Sequence, residues 1–222
     1  MNTTSVLSPN GILALWNDCD ASQEAFYEHW YQTEHLPERL GLDGFHRGRR
    51  YQAIESEAMN GQPRFFTYYE TTSPDILLSK DYIARLNDPT PATRKVMDGV
   101  FTNMSRTICQ CTVRAGEMRG AVALTLKLTG DTDQLSGLPA QLVQDGDAVV
   151  RAELWQSVAE PPREPTAEEV LRGKDKKISA CLFVETLRQQ TADDIRHQLI
   201  DRMSSTVESA GIYRLLCERV SA

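Results

Sequence analysis

The sequence predicts an α+β fold in which one β-α-β-β-α-β unit occurs twice, as tandem repeats packed together within one chain. Three features carry that reading. Apolar runs of strand length alternate with stretches of helical spacing in that order, the order recurs after residue 120, and the strands are apolar at positions of both parities, so both faces of each sheet need cover.

Residues 11–19, GILALWNDC, read as a buried first strand. From Ser22 to Leu40 the spacing is helical, with Ser22 placed as the N-cap. Pro37 is expected to stop or kink this helix near Leu36, because the residue before a proline avoids the α region. Residues 45–54, FHRGRRYQAI, and 64–72, RFFTYYETT, follow as a hairpin with a turn over 59–63, MNGQP. Ser73, Pro74 and Asp75 start a helix that continues to Leu86. A second helical stretch covers Pro91 to Val100, and 104–113, MSRTICQCTV, is the closing strand.

The second unit repeats the order with strands at 121–128, 149–158, 178–187 and 211–220, a short helix over 131–144 and a longer one over 191–206 with Thr191 as N-cap. Residues 159–177, AEPPREPTAEEVLRGKDKK, are rich in proline and charge. They read as a mobile surface loop with room for one helical turn near Glu168 to Leu171, and a lid role is open to it. The boundary between repeats falls in 114–120, RAGEMRG. It divides the chain into an N-terminal repeat (1–116) that carries the candidate site and a degenerate C-terminal repeat (117–222) that serves as its partner sheet.

Composition narrows the function classes. Of the 222 residues 41% are apolar and 25% charged, which places the chain among globular proteins. A formal net charge of −7 argues against nucleic-acid binding, which needs a basic face. There is no signal-like N-terminus and no apolar run of about 18 residues, so membrane insertion and export are not expected. Five cysteines, an odd number mostly inside apolar runs, fit a reduced cytoplasmic setting. Cys109 and Cys111 share one strand face but have no second Cys/His pair beside them, so no metal site is expected.

The chemistry-bearing types concentrate in 28–39, EHWYQTEHLPER. His35 falls at the end of a helix, where the partial negative charge favours imidazolium, and its pKa is expected near neutrality. A catalytic role, a helix-capping role and a metal or haem ligand role are all open to it. Glu34 is adjacent and could orient it, and Trp30 and Tyr31 could provide core packing or stack on a planar ligand. His29 reads as exposed. On the next strand Phe45, Arg47, Arg49 and Tyr51 fall on one face, and His46, Gly48 and Arg50 on the other. Buried guanidinium groups there need anions, from a substrate or from Glu38, Glu55 or Glu70. Gly48 suggests a bulge or a close approach, and Tyr68 and Tyr69 give one phenol to each face.

The pattern Trp30, Tyr31, Glu34, His35, Pro37, Glu38, Arg39, followed by Gly44, Phe45, Arg47, Arg49, Arg50, Tyr51, resembles the dimeric α/β-barrel superfamily of ferredoxin-like units, specifically its EthD-like branch. The motif covers about 11–113; the second half resembles the superfamily in element order. The resemblance implies a site in the cleft between the sheet and the helices of one unit. It implies no single reaction, because the superfamily includes cyclases, cofactor-free monooxygenases, lactone isomerases, aldoxime dehydratases and haem enzymes such as chlorite dismutases. Haem members use a helix histidine, and His197 falls outside the apolar face of its predicted helix.

The expectation is then a cofactor-free small-molecule enzyme. His35 and Glu34 are its catalytic residues, and Trp30, Tyr31, Arg39, Arg47, Arg49, Tyr51 and Tyr68 bind a planar, anionic aromatic or enolisable substrate. Its chemistry would be that of an isomerase, cyclase, hydratase or decarboxylase. The alternatives are a cofactor-free monooxygenase and a non-catalytic metabolite-binding or accessory protein. Free sheet edges leave a homodimer open.

Overall fold

The structure, a computed structural model, describes residues 9–54 and 61–221. The first strand, β1, is Gly11–Cys19. Asp20, not Ser22, caps the helical stretch after it: its carboxylate accepts the Ser22 N–H at 2.8 Å. Helix α1 (Glu24–Trp30) passes through a π turn, Tyr31–His35, into α2 (Leu36–Leu40). Pro37 therefore does not end the helix. The wide turn shifts the ladder, so that the Leu36 N–H reaches the Tyr31 carbonyl five residues back, and Pro37, which has no N–H to give, sits in the first turn of α2.

Strand β2 (Phe45–Ala53) pairs antiparallel with β3 (Phe65–Thr71), as the hairpin reading requires. Residues 59 and 60 of the expected turn lie outside the described residues. A register shift between Phe45 and Arg47 corrects the face assignment. Phe45 joins the helix side with Tyr69 and Tyr82, whereas Arg49 and Tyr51 face the opposite way. Gly48 is a site of close approach: a Cβ there would lie 2.6 Å from Leu36 Cδ1 and 3.0 Å from Tyr69 Cε1.

After β3 come a 3₁₀ turn (Pro74–Leu78), α3 (Lys80–Asn87, capped by Ser79), α4 (Pro91–Lys95) and β4 (Phe101–Ala115). The second repeat contains β5 (Val122–Leu128), α5 (Leu138–Asp145), β6 (Val149–Ser157), α6 (Ala167–Arg172), β7 (Ala180–Thr186), α7 (Gln189–Met203) and β8 (Val207–Val220). Thr191 lies inside α7 and is not its cap, since the last extended residue before the helix is Arg188.

The eight strands close into one barrel in the order β1-β3-β2-β8-β5-β7-β6-β4. Each repeat supplies a four-stranded antiparallel sheet, and the seams are the antiparallel pairs β2·β8 and β4·β6. The two sheets are thus joined at their edges as well as facing one another, which uses up the free edges the sequence reading left for a homodimer. Rings from both repeats fill the lumen: Trp16, Phe66 and Tyr68 pack with Trp155, Phe183 and Tyr213. Two further cores lie between sheet and helices, one in each repeat. No helix among the described residues is long and apolar enough to cross a membrane.

Residues 159–177 depart most from expectation. They hold an ordered helix, α6, closed by a capping box in which Thr166 and Glu169 satisfy each other's backbone N–H groups. The segment is laid across the N-terminal repeat. The Arg106 N–H donates to the Lys176 carbonyl at 3.0 Å, the Ala167 N–H donates to Asn87 Oδ1 at 3.0 Å, and Leu171 packs on the N-terminal core.

Candidate functional site

Tyr31 and His35, four residues apart, share the buried side of the first helical stretch. The His35 ring stacks on Trp30 with centroids 4.3 Å apart and meets Tyr31 edge-on at 5.2 Å. Trp30 and Tyr31 are themselves held from behind, by Thr93 at 3.1 Å and Thr67 at 3.2 Å. They form the wall that fixes the imidazole. Glu34 points elsewhere: its carboxylate accepts the hydroxyls of Thr90 and Thr93, tying the π turn to the start of α4 and not to the His35 ring.

In front of His35 is a small cavity of about 20 Å³ with Leu13, Leu15, Met97 and Phe101 as its apolar wall. Three of the buried polar side chains that line it have an atom without a hydrogen-bond partner, His35 Nδ1, Arg39 Nη1 and Arg106 Nη1, and the Tyr69 hydroxyl lines it beside that of Tyr31. Buried donors and acceptors are normally satisfied, because leaving one unpaired costs about 1–3 kcal/mol. Three around one cavity make it the candidate ligand site.

Helix α6 covers this cavity. Glu168 lies 2.6 Å from Arg39, both side chains being almost fully buried, and Arg172 lines the same space while making a bidentate pair with Asp175 at 2.7 and 2.8 Å. Burial pushes the His35 imidazole well below its ordinary pKa, and the Arg39 and Arg172 guanidinium groups lower it further. The ring is therefore neutral at pH 7, which corrects the expectation of a pKa near neutrality. The helix-end effect loses to desolvation and two cations. Burial also holds the Tyr69 phenol far above its usual range, so it remains a neutral donor. Arg39 stays charged, burial being more than offset by Glu168 together with Tyr82 and Glu38.

The other residues singled out in the sequence do not reach this cavity. Arg49, Tyr51 and Tyr68 lie on the lumen face of the sheet. Arg49 pairs with Glu185, the Tyr51 hydroxyl donates to Glu185 at 2.9 Å, and the Tyr68 hydroxyl accepts from Arg119 at 3.1 Å. Arg47 sits at the barrel mouth, bound to Glu70 at 3.3 Å and to Glu218. Arg50, on the helix side, is held by both Glu28 oxygens and lies over Tyr27, Tyr31 and Phe65. The anions that these arginines need come mostly from the protein, and Glu185 and Glu218 belong to the second repeat. Sequence reasoning missed Arg106, Tyr82, Glu168 and Arg172. The one signal for the last two was the Thr166/Glu169 capping-box spacing inside the long loop.

Fold and site together define a dimeric α/β barrel closed within one chain, with its cavity between the sheet and the helices of the N-terminal ferredoxin-like unit. Solved structures share that architecture. An anthrone oxidase-like protein superposes with a TM-score of 0.62 at 9% identity, over 98% of this chain and 95% of that one. A Fusobacterium nucleatum protein whose name carries the word monooxygenase gives 0.54 at 8% identity, over 97% and 94%. A mutant chlorite dismutase from Candidatus Nitrospira defluvii gives 0.53 at 8% identity, over 96% and 94%. At these identities the likeness is one of fold. No family model and no curated protein matches the chain.

The residues do not fit a haem. His197 is exposed on α7, and the space between that helix and its sheet is packed by Leu124, Leu126, Leu182 and Leu199. Among the described residues no cluster of three or more His, Cys, Asp or Glu could hold a metal ion.

Proposed function

We propose that the protein is a small-molecule enzyme whose cavity lies beside His35, and that it removes a proton from a planar phenolic or enolisable substrate and lets the resulting anion react with dioxygen. The observation that supports this is the convergence of a neutral His35 with an unpartnered Nδ1, the Tyr69 hydroxyl and two guanidinium groups on one apolar cavity. A neutral imidazole can accept the proton, and Arg39 and Arg106 are placed to stabilise the anion left behind. An anion in the cavity also offsets the cations that depress His35, so the base strengthens when its substrate binds. In the overall reaction an activated CH₂ and O₂ give C=O and water: one oxygen atom is inserted and the other leaves reduced. The oxidase-like and monooxygenase names of the structural relatives favour oxygenation over the lyase or isomerase chemistry expected from the sequence.

The test is oxygen uptake by the purified chain with a panel of polycyclic phenols and hydroquinones. Wild type should consume O₂ and release the oxidised product, and His35→Gln should lose at least about 100-fold in kcat while still binding ligand. Uptake that His35→Gln leaves unchanged, or the absence of uptake with every substrate in the panel, overturns the reading.

A further inference from the structure

Opening of α6 would take Glu168, Arg172 and Asp175 away together, a net loss of one negative charge at the cavity. Arg172 is held by both Asp175 oxygens and also lies 3.7 Å from Glu168, so the covering segment carries one cation and two carboxylates here. Glu168 is the carboxylate that this segment extends across to the N-terminal repeat, where it meets Arg39. With the segment withdrawn, Arg39 keeps Glu38 at 3.7 Å, a carboxylate shared with Arg85, and Arg106 keeps the Tyr82 hydroxyl at 3.1 Å. Two guanidinium groups in an apolar recess must be matched by an anion. As closed, the cavity has room for about one water, so any substrate must move α6 to enter.

Resting on the function proposed above, we infer that the substrate carries a carboxylate, and that Glu168 keeps that carboxylate's place on Arg39 until the substrate displaces it. The C-terminal repeat is then more than a partner sheet: it supplies the cover and the group that screens the site against uncharged molecules. An incoming aromatic carboxylate replaces the Glu168 contact in kind, whereas a neutral analogue would leave Arg39 buried and unpaired. Gly173, at φ +81°, ends α6 in a backbone conformation that L side chains rarely adopt, and gives the segment its turning point.

The test is calorimetric titration of the intact chain with 2-naphthoate and with its uncharged isostere 2-naphthamide. Glu168→Gln removes the competing charge with little change of shape. It should bind 2-naphthoate about tenfold or more tightly than wild type does, with no gain for the amide, and adding Arg39→Gln should abolish the gain. Glu168→Asp keeps the charge on a shorter arm and should give a smaller gain in the same direction, which preserves the test if Glu168→Gln folds poorly by circular dichroism. An equal gain for both ligands, or none for the carboxylate, overturns the exchange. If 2-naphthamide binds wild type and protects His35 from diethyl pyrocarbonate while 2-naphthoate gains nothing, the His35 cavity survives and only the exchange falls. If neither ligand binds any variant, both fall.

Discussion

Arg39 of the N-terminal repeat and Glu168 of the C-terminal repeat meet at 2.6 Å, 129 residues apart in sequence and both almost fully buried. Removing one partner leaves the other charge buried without its counterion. Glu168→Ala should therefore cost about 3–5 kcal/mol in urea unfolding. The double variant Arg39→Met/Glu168→Leu should lose less than the sum of Arg39→Met and Glu168→Leu made separately, because it leaves no orphaned charge. A strictly additive result would mean that the two groups do not interact in solution.

The depressed pKa of His35 makes a prediction about pH. In the unfolded chain this histidine takes up a proton near its ordinary value of 6.5, and in the folded chain only at lower pH. Between those two points the unfolded state binds more protons, so folding stability is present above about pH 6.5 and is lost as pH falls toward the folded value, by at most about 1.4 kcal/mol per pH unit. His35→Gln should flatten this part of the stability-against-pH curve relative to wild type. Parallel curves for the two proteins would show that the ring is not buried as described.

The capping box of α6 should control the cover more than the fold. Thr166 Oγ1 accepts the Glu169 N–H, and the Glu169 carboxylate accepts the Thr166 N–H at 2.8 Å. Thr166→Ala should cost about 1 kcal/mol locally. Because α6 lies outside the barrel ladder, the loss should appear as faster limited proteolysis between residues 158 and 177 and faster amide exchange there, with exchange in β1 and β3 unchanged. Uniformly faster exchange across the barrel would argue that α6 is integral to the fold.

What was legible in the sequence follows from range. The strands of both repeats carry apolar residues at both parities, and that periodicity led to the correct element order and the doubled fold. His35 was legible because its neighbours Trp30 and Tyr31 lie within one turn of it. Arg47, Arg49 and Tyr51 were grouped with it wrongly in space: adjacency along β2 does not reveal that the sheet itself separates the lumen side from the helix side, nor that a register shift moves Phe45 away from Arg47. Pro37 misled for a related reason. A π turn that ends two residues before it lets the helix run on past the proline, and no single residue type announces one. Glu168 and Arg172 were illegible as site residues because they arrive from the other repeat, over a distance that no local pattern spans.

The junction between repeats offers a test of the closed barrel itself. Gly116 follows β4 at φ +77°, a conformation that L side chains rarely adopt, and a Cβ built there would fall 2.1 Å from the Val150 carbonyl oxygen at the start of β6. The Arg151 Nη1 donates to the Gly116 carbonyl at 3.1 Å, so the turn is held against the β4·β6 seam from both sides. Gly116→Ala combines a strained backbone with a clash against main chain that cannot rotate away, and should cost about 2–3 kcal/mol in equilibrium unfolding. Gly61 also has positive φ, at +77°, but a Cβ there meets nothing within 4 Å. Gly61→Ala should cost about 1 kcal/mol, the backbone strain alone. The difference between the two variants isolates the contribution of the seam, and equal losses would show that the β4·β6 edge is not closed at this point.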